Sequence, residues 1–136
     1  MLDRRALVLA AALLLGVAPA SADDEAVIGR WYSALLVADR TELSDLLADN
    51  ARIRLGDLGI EQSKQEFIAS MDEWQGAVSG AAIRHRIEKT AGGTVTVIAC
   101  YDFPSNEMLM QETFAIAGGH ISASSQSTIA ESCEAF

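Results

Sequence analysis

Positive charge is scarce in this chain. Ten lysines and arginines stand against 19 aspartates and glutamates in 136 residues, a formal net charge of −9 at pH 7. No basic cluster offsets that balance. Such a surface repels phosphate backbones and anionic headgroups, which argues against nucleic acid and anionic membrane as partners. Histidine is scarce too. His85 and His120 have no cysteine or acid at ligand spacing, which argues against a zinc site. A glycine-rich phosphate loop is missing, and the serines between Ser122 and Ser127 carry no nucleophile-elbow pattern. No motif calls for a cofactor. There is no internal repeat, low-complexity stretch or linker.

The chain has one long apolar run, at its start. Met1 to Arg5 is short and basic, Ala6 to Ala18 is apolar on every side, and Pro19 breaks the run before Ala20-Ser21-Ala22. This is the three-part layout of a secretory signal peptide, with small residues where a signal peptidase reads. The run is too short to span a bilayer, which takes about 20 residues. Residues 1–22 are therefore read as a signal peptide and 23–136 as one exported domain, periplasmic or secreted, with no membrane attachment after cleavage. That domain has 114 residues, with 8 basic and 18 acidic side chains and a formal charge of −10. It is long enough for one core and too short for two.

There are two cysteines, Cys100 in a strand-like run and Cys133 near the end. An even pair in an oxidising compartment reads as a disulfide. The rival readings are a free nucleophile and a metal pair. A nucleophile wants a nearby base and a field that favours thiolate, and neither cysteine has them in sequence.

Along the mature chain the hydrophobic period is first helical. Asp23, Asp24 and Glu25 open a helix in which Val27, Trp31, Ala34, Leu35 and Ala38 recur at helical spacing, to about Val37 or Ala38. Asp39-Arg40-Thr41-Glu42 has a capping-box pattern and starts a short helix carrying Leu43, Leu46 and Leu47 inward, ending near Asp49-Asn50. Residues 51–55 alternate as a strand, and Gly56 to Gly59 is a turn. Ser63-Lys64-Gln65-Glu66 is a capping box for a third helix with Phe67, Met71 and Trp74 on one stripe, ending at Gly76. The period then becomes 2. Strands are predicted at 82–90, 94–103, 107–116 and 120–128, separated by Gly92-Gly93, Pro104-Ser105-Asn106 and Gly118-Gly119. Helices followed by an antiparallel meander give an α+β fold, with the helices packed on the concave face of a curved antiparallel sheet.

Several segments resemble the NTF2-like superfamily, which includes SnoaL-like and ketosteroid isomerase-like proteins. They are Arg30-Trp31-Tyr32 with Ala34-Leu35 and Asp39, the junction from Leu46 to Ile53, the helix start from Ser63 to Ile68, and Glu112-Thr113-Phe114 through Gly118-Gly119 to Ile121. The resemblance covers nearly all of residues 24–128 and identifies the chain as an exported bacterial member. It implies a cone-shaped fold with a deep pocket, often dimeric through the sheet, hence a homodimer. It does not imply one activity.

Ketosteroid isomerase-like enzymes place a carboxylate base near the position of Leu55, an acidic donor at that of Glu112, and a tyrosine at that of Trp31, beside Tyr32. Leu55 cannot carry a proton, and Asp57 is the nearby substitute, although it also reads as a turn acid. Glu112 shares a strand face with Met108, Met110, Phe114 and Ile116, so it is either buried or at a pocket rim. The plain reading of Glu112 is a structural acid paired with Arg84 or Arg86; the functional one is an acid or base in a pocket. His85 shares a face with Ile83 and Ile87 and is the candidate catalytic partner, or else a core histidine. Trp31, Tyr32, Trp74, Tyr101, Phe103, Met110 and Phe114 are candidate pocket-lining residues that serve equally as core. The leading expectation is non-catalytic binding of a small apolar molecule or a protein partner. The alternative is an isomerase or dehydratase using Glu112 with His85 or Asp57. A scaffold domain without a ligand is the third reading.

Overall fold

The computed structural model describes residues 21–136. The expected signal peptide, residues 1–22, lies outside them except for Ser21 and Ala22. The first element is helix α1, Ala22–Leu36, and Ser21 caps it by accepting from the Asp24 N–H at 3.1 Å. Its acids at 23–25 sit at the positive end of the helix dipole. Its apolar stripe buries Val27, Ile28, Trp31, Tyr32, Ala34 and Leu35.

Asp39 then caps α2, Arg40–Leu46, through the Glu42 N–H. The Glu42 side chain pairs with Arg30 at 2.5 Å. Helix α2 stops at Leu46 and strand β1, Leu47–Leu55, follows without a turn. The expected end near Asp49-Asn50 is thus corrected. Leu47 is still buried, but as a strand residue, because it pairs with Ile121 in the sheet.

The predicted turn at Gly56 is a 3-10 turn over Gly56–Leu58, and it leads into a short strand β2, Ile60–Ser63, that the sequence reading omitted. Four residues with no apolar alternation give too short a pattern to detect. Helix α3, Lys64–Val78, starts with the full Ser63–Glu66 capping box and runs two residues past Gly76. The long strands are β3 (Ala82–Ala91), β4 (Thr94–Asp102), β5 (Glu107–Ala117) and β6 (His120–Ala130).

The sheet has six strands in the order β2-β1-β6-β5-β4-β3. All neighbours are antiparallel except β1 and β6, which are parallel, with Ile53 opposite Ser124 and Leu55 opposite Gln126. Period 2 sends Val95, Val97, Ala99 and Tyr101 of β4 to the helical side, where they join the main core. Three helices pack against the curved sheet, giving the expected α+β fold.

Cys100 points to the other face. It is bridged to Cys133, with Cα atoms 5.8 Å apart. Together with Ile98 and Leu109 they form a second, small apolar cluster, with Ala130 and Phe136 packed against it. The Cys133 N–H donates to the Glu107 carboxylate at 2.7 Å, and the guanidinium groups of Arg84 and Arg86 lie 4.8 and 5.5 Å from the centre of the Phe136 ring.

Candidate functional site

A cavity of about 370 Å³ opens between α1, α3 and the inner face of the sheet. Helix α1 supplies Trp31 and Leu35, and α3 supplies Phe67, Met71 and Trp74. Strand β1 gives Ile53 and Leu55; β4 and the residue after it give Tyr101 and Phe103; β5 gives Met108, Met110 and Glu112. Polar groups are few: Gln62, Ser70, Glu73, Ser124 and Gln126 complete that set beside Glu112.

Glu112 is only 3% exposed. Its Oε1 accepts two hydrogen bonds of 2.7 Å, one from Tyr32 Oη and one from Tyr101 Oη. The backbone sets up this meeting. Glu112 sits opposite Val97 on β4, and Tyr101 lies four residues further along the same inner face. Between them is Ala99, whose methyl group is too small to block the phenol. Tyr32 comes down from α1, held edge-on to Phe114 with ring centres 6.1 Å apart.

Burial pushes the Glu112 carboxyl above its ordinary range, because the charged form loses water; the two tyrosine bonds pull the other way and are the smaller effect. Burial, followed by the neighbouring Glu112 charge, pushes both phenols well above theirs, so both remain donors at neutral pH. The expected ion pair with Arg84 or Arg86 does not form. Both arginines lie on the opposite face of the sheet, over Phe136, because β3 turns alternate residues outward.

Trp31, Trp74, Tyr101, Phe103 and Met110 all line the cavity. Trp74 is fixed by donating its Nε1–H to the Leu35 carbonyl at 2.7 Å, which ties α3 to the end of α1. Trp31 stacks on Phe67 at 5.3 Å, and its buried Nε1 has no partner among the described residues. Two expected lining residues are placed elsewhere. Phe114 is fully buried core beneath Trp31 and Tyr32. Tyr32 lies behind Glu112 and reaches the site only through its hydroxyl. Neighbouring positions on a helix point about 100° apart, so Trp31 and Tyr32 divide the lining and bonding roles between them.

His85 is not in the cavity. It is exposed on edge strand β3, and its ring stacks on the outer face of Tyr32 at 4.5 Å. Tyr32 therefore stands between His85 and Glu112, and partial burial lowers the imidazole pKa. A shallow surface depression holds His85 with Arg30, Ser33, Asp39 and Glu42. Asp57 is also elsewhere. Its Oδ2 accepts from the Thr128 N–H at 2.9 Å and from Thr128 Oγ1 at 2.5 Å, tying the 3-10 turn to β6. The turn presses close at this point: a Cβ on Gly56 would sit 2.8 Å from the Gln126 carbonyl oxygen. Leu55 lines the cavity as an apolar group. No cluster of three or more metal-ligating side chains occurs among the described residues.

The sequence reading passed over Gln62, Ser70, Glu73, Ser124 and Gln126. Gln62 lies on the undetected strand β2. The run of serines in β6 conceals the alternation that turns Ser124 and Gln126 inward.

No family model and no curated protein matches this sequence. Solved structures do match. A candidate ketosteroid isomerase from Kribbella flavida DSM 17836 superposes with a TM-score of 0.66 at 12% identity, over 77% of this chain and 76% of that one. An NTF2-like protein of unknown function from Burkholderia xenovorans LB400 gives 0.65 at 14% identity, over 76% and 80%. The fold is NTF2-like. A third structure of this kind, from Catenulispora acidiphila DSM 44928, has a ketosteroid isomerase-like fold and is in complex with trimethylamine; it gives 0.60 at 15% identity, over 74% and 83%. At these identities the likeness concerns the fold. Within this NTF2-like fold the acid at 112 has a tyrosine from α1 on it, but the tyrosine is Tyr32, one residue after the position matched in sequence.

Proposed function

We propose that this protein is an exported, non-catalytic NTF2-like domain whose cavity holds a small, largely apolar molecule at Glu112. The observation that carries this reading is a built apolar cavity whose one deeply buried carboxyl, among the described residues, is held by two tyrosines, with no histidine and no second buried acid in the lining. A proton-transfer enzyme needs a base and an acid within reach of one substrate. Leu55 is apolar, Asp57 is bound to Thr128, and His85 lies beyond Tyr32, so neither partner expected for Glu112 in the isomerase or dehydratase alternative reaches it. A concave apolar cavity of this size favours a small molecule over a protein partner. The trimethylamine held by the Catenulispora structure supports small-molecule occupancy. Export, by the leader and the disulfide, and a homodimer through the outer sheet face belong to the same reading.

The test uses the neutral apolar fluorophore N-phenyl-1-naphthylamine. Saturable 1:1 binding, with energy transfer from Trp31 and Trp74, is expected, and Glu112→Gln retains it. Absence of saturable binding overturns the pocket reading. Exchange of the α-protons of an added ketone into deuterated water, catalysed by the protein and lost in Glu112→Gln, overturns the non-catalytic one.

A further inference from the structure

Resting on that reading, we propose that the molecule the cavity selects is an organic cation, a tertiary or quaternary ammonium on an apolar body, with its charge set against Glu112. The lining contains two carboxyl side chains, Glu112 and Glu73, and no lysine, arginine or histidine among the described residues. An anionic ligand would enter against both carboxyls with nothing to balance it. A cation meets the opposite situation.

The basic side chains among the described residues lie elsewhere. Arg30, Arg40, Arg52, Arg54 and Lys64 pair with acids. Arg84 and Arg86 cover Phe136, and Lys89 is exposed near the end of β3. Glu112 is therefore a buried acid with hydrogen-bond donors but no counter-charge among the described residues. Buried carboxylates are costly unless paired, and a ligand cation supplies the missing partner.

The surrounding surface suits that partner. Tyr101, bonded to Glu112, packs against Trp74 and Phe103 with ring centres 6.0 to 6.1 Å apart in the trio. Trp31 stacked on Phe67 forms a second aromatic wall. Aromatic faces attract alkylammonium groups through the ring quadrupole and tolerate their methyl groups, whereas a small hydrated cation would lose its water for few oxygen ligands. The chain's net negative charge draws cations toward the opening.

Binding of a fixed charge also couples to pH. The titratable groups around Glu112 are Tyr32 from α1, Tyr101 from β4 and Glu73 from α3, with His85 of β3 behind Tyr32; the facing residues of β6, Ser124 and Gln126, are neutral. Burial favours the protonated acid in the free protein, so a cation that requires the carboxylate displaces a proton. Its affinity rises with pH.

Benzyltrimethylammonium and its uncharged isostere neopentylbenzene make the test, because they share one shape and neither titrates. Calorimetry gives the ammonium affinity directly, and displacement of N-phenyl-1-naphthylamine gives both. At about pH 8 the ammonium is expected to bind roughly 10-fold tighter than the isostere, with an advantage that shrinks toward about pH 5. Glu112→Gln should abolish the advantage and its pH dependence while retaining the fluorophore. Equal or tighter binding of the isostere, or an advantage indifferent to Glu112→Gln, overturns the cation inference and leaves the pocket reading in place. Fluorophore binding with no displacement by the ammonium does the same. Failure of all three probes to bind overturns both.

Discussion

Glu112 makes a stability prediction that needs no ligand. Its carboxyl is deeply buried at the cavity wall, and its pKa in the folded protein lies above the ordinary value of 4.5. Below that ordinary value the acid is protonated folded and unfolded alike, and its contribution to stability is complete. As pH rises from there through the folded pKa, the unfolded chain gives up the proton first and the contribution is lost. The Glu112→Gln variant keeps a side-chain oxygen for both tyrosines and carries no titration. Its melting temperature relative to the parent should therefore climb as pH increases across this window, read by thermal scans at several pH values. A difference that stays flat with pH would show that the acid is well solvated in the folded protein. Sequence alone foretold that Glu112 is buried or at a rim, because four apolar residues share its strand face. It did not foretell the partners. Arg84 or Arg86 was the expected partner, and Tyr32 was not, since which face of a neighbouring strand or helix meets Glu112 is set only when the sheet is assembled.

At the level of elements, legibility followed pattern length. Helices α1 and α3 and the four long strands were readable because each repeats its period several times. The end of α2 and the whole of β2 were not, because each depends on a neighbour distant in sequence: Leu47 is drawn into strand by Ile121, and β2 exists only by pairing with β1. The Ser63 capping box was readable for the opposite reason, being entirely local. Ser63 accepts from the Glu66 N–H, and Glu66 returns the bond to the Ser63 N–H, each at 3.2 Å. Ser63→Ala should cost about 1 kcal/mol. Urea denaturation measures it, and an unchanged midpoint would mean that packing of Phe67 and Met71 alone fixes the start of the helix.

For the molecule as a whole, the bridge from Cys100 to Cys133 ties the chain end to the outer face of the sheet. A cross-link of this sequence separation, 33 residues, is worth about 3–4 kcal/mol in the chain-entropy picture. Reduction, or the Cys100→Ser/Cys133→Ser double variant, should lower stability by that amount in urea titration and leave the inner cavity able to hold N-phenyl-1-naphthylamine. Loss of fluorophore binding in a protein that remains folded would mean that the two faces are mechanically coupled through β4. The pairing was legible from the even cysteine count. The outline of the cavity was not, because it is drawn where α1, α3 and five strands converge.

The parallel contact between β1 and β6 has a consequence for the order of events in the life of the chain. Residues 47–55 are made well before 120–130, yet Ile53 and Leu55 have their places in the sheet beside Ser124 and Gln126. Pairings so distant in sequence are slow to form, and none can form before the second partner exists. The sheet cannot close while its final strand is still unmade. A chain built in this order keeps β1 without its parallel neighbour until residues 120–130 have been made.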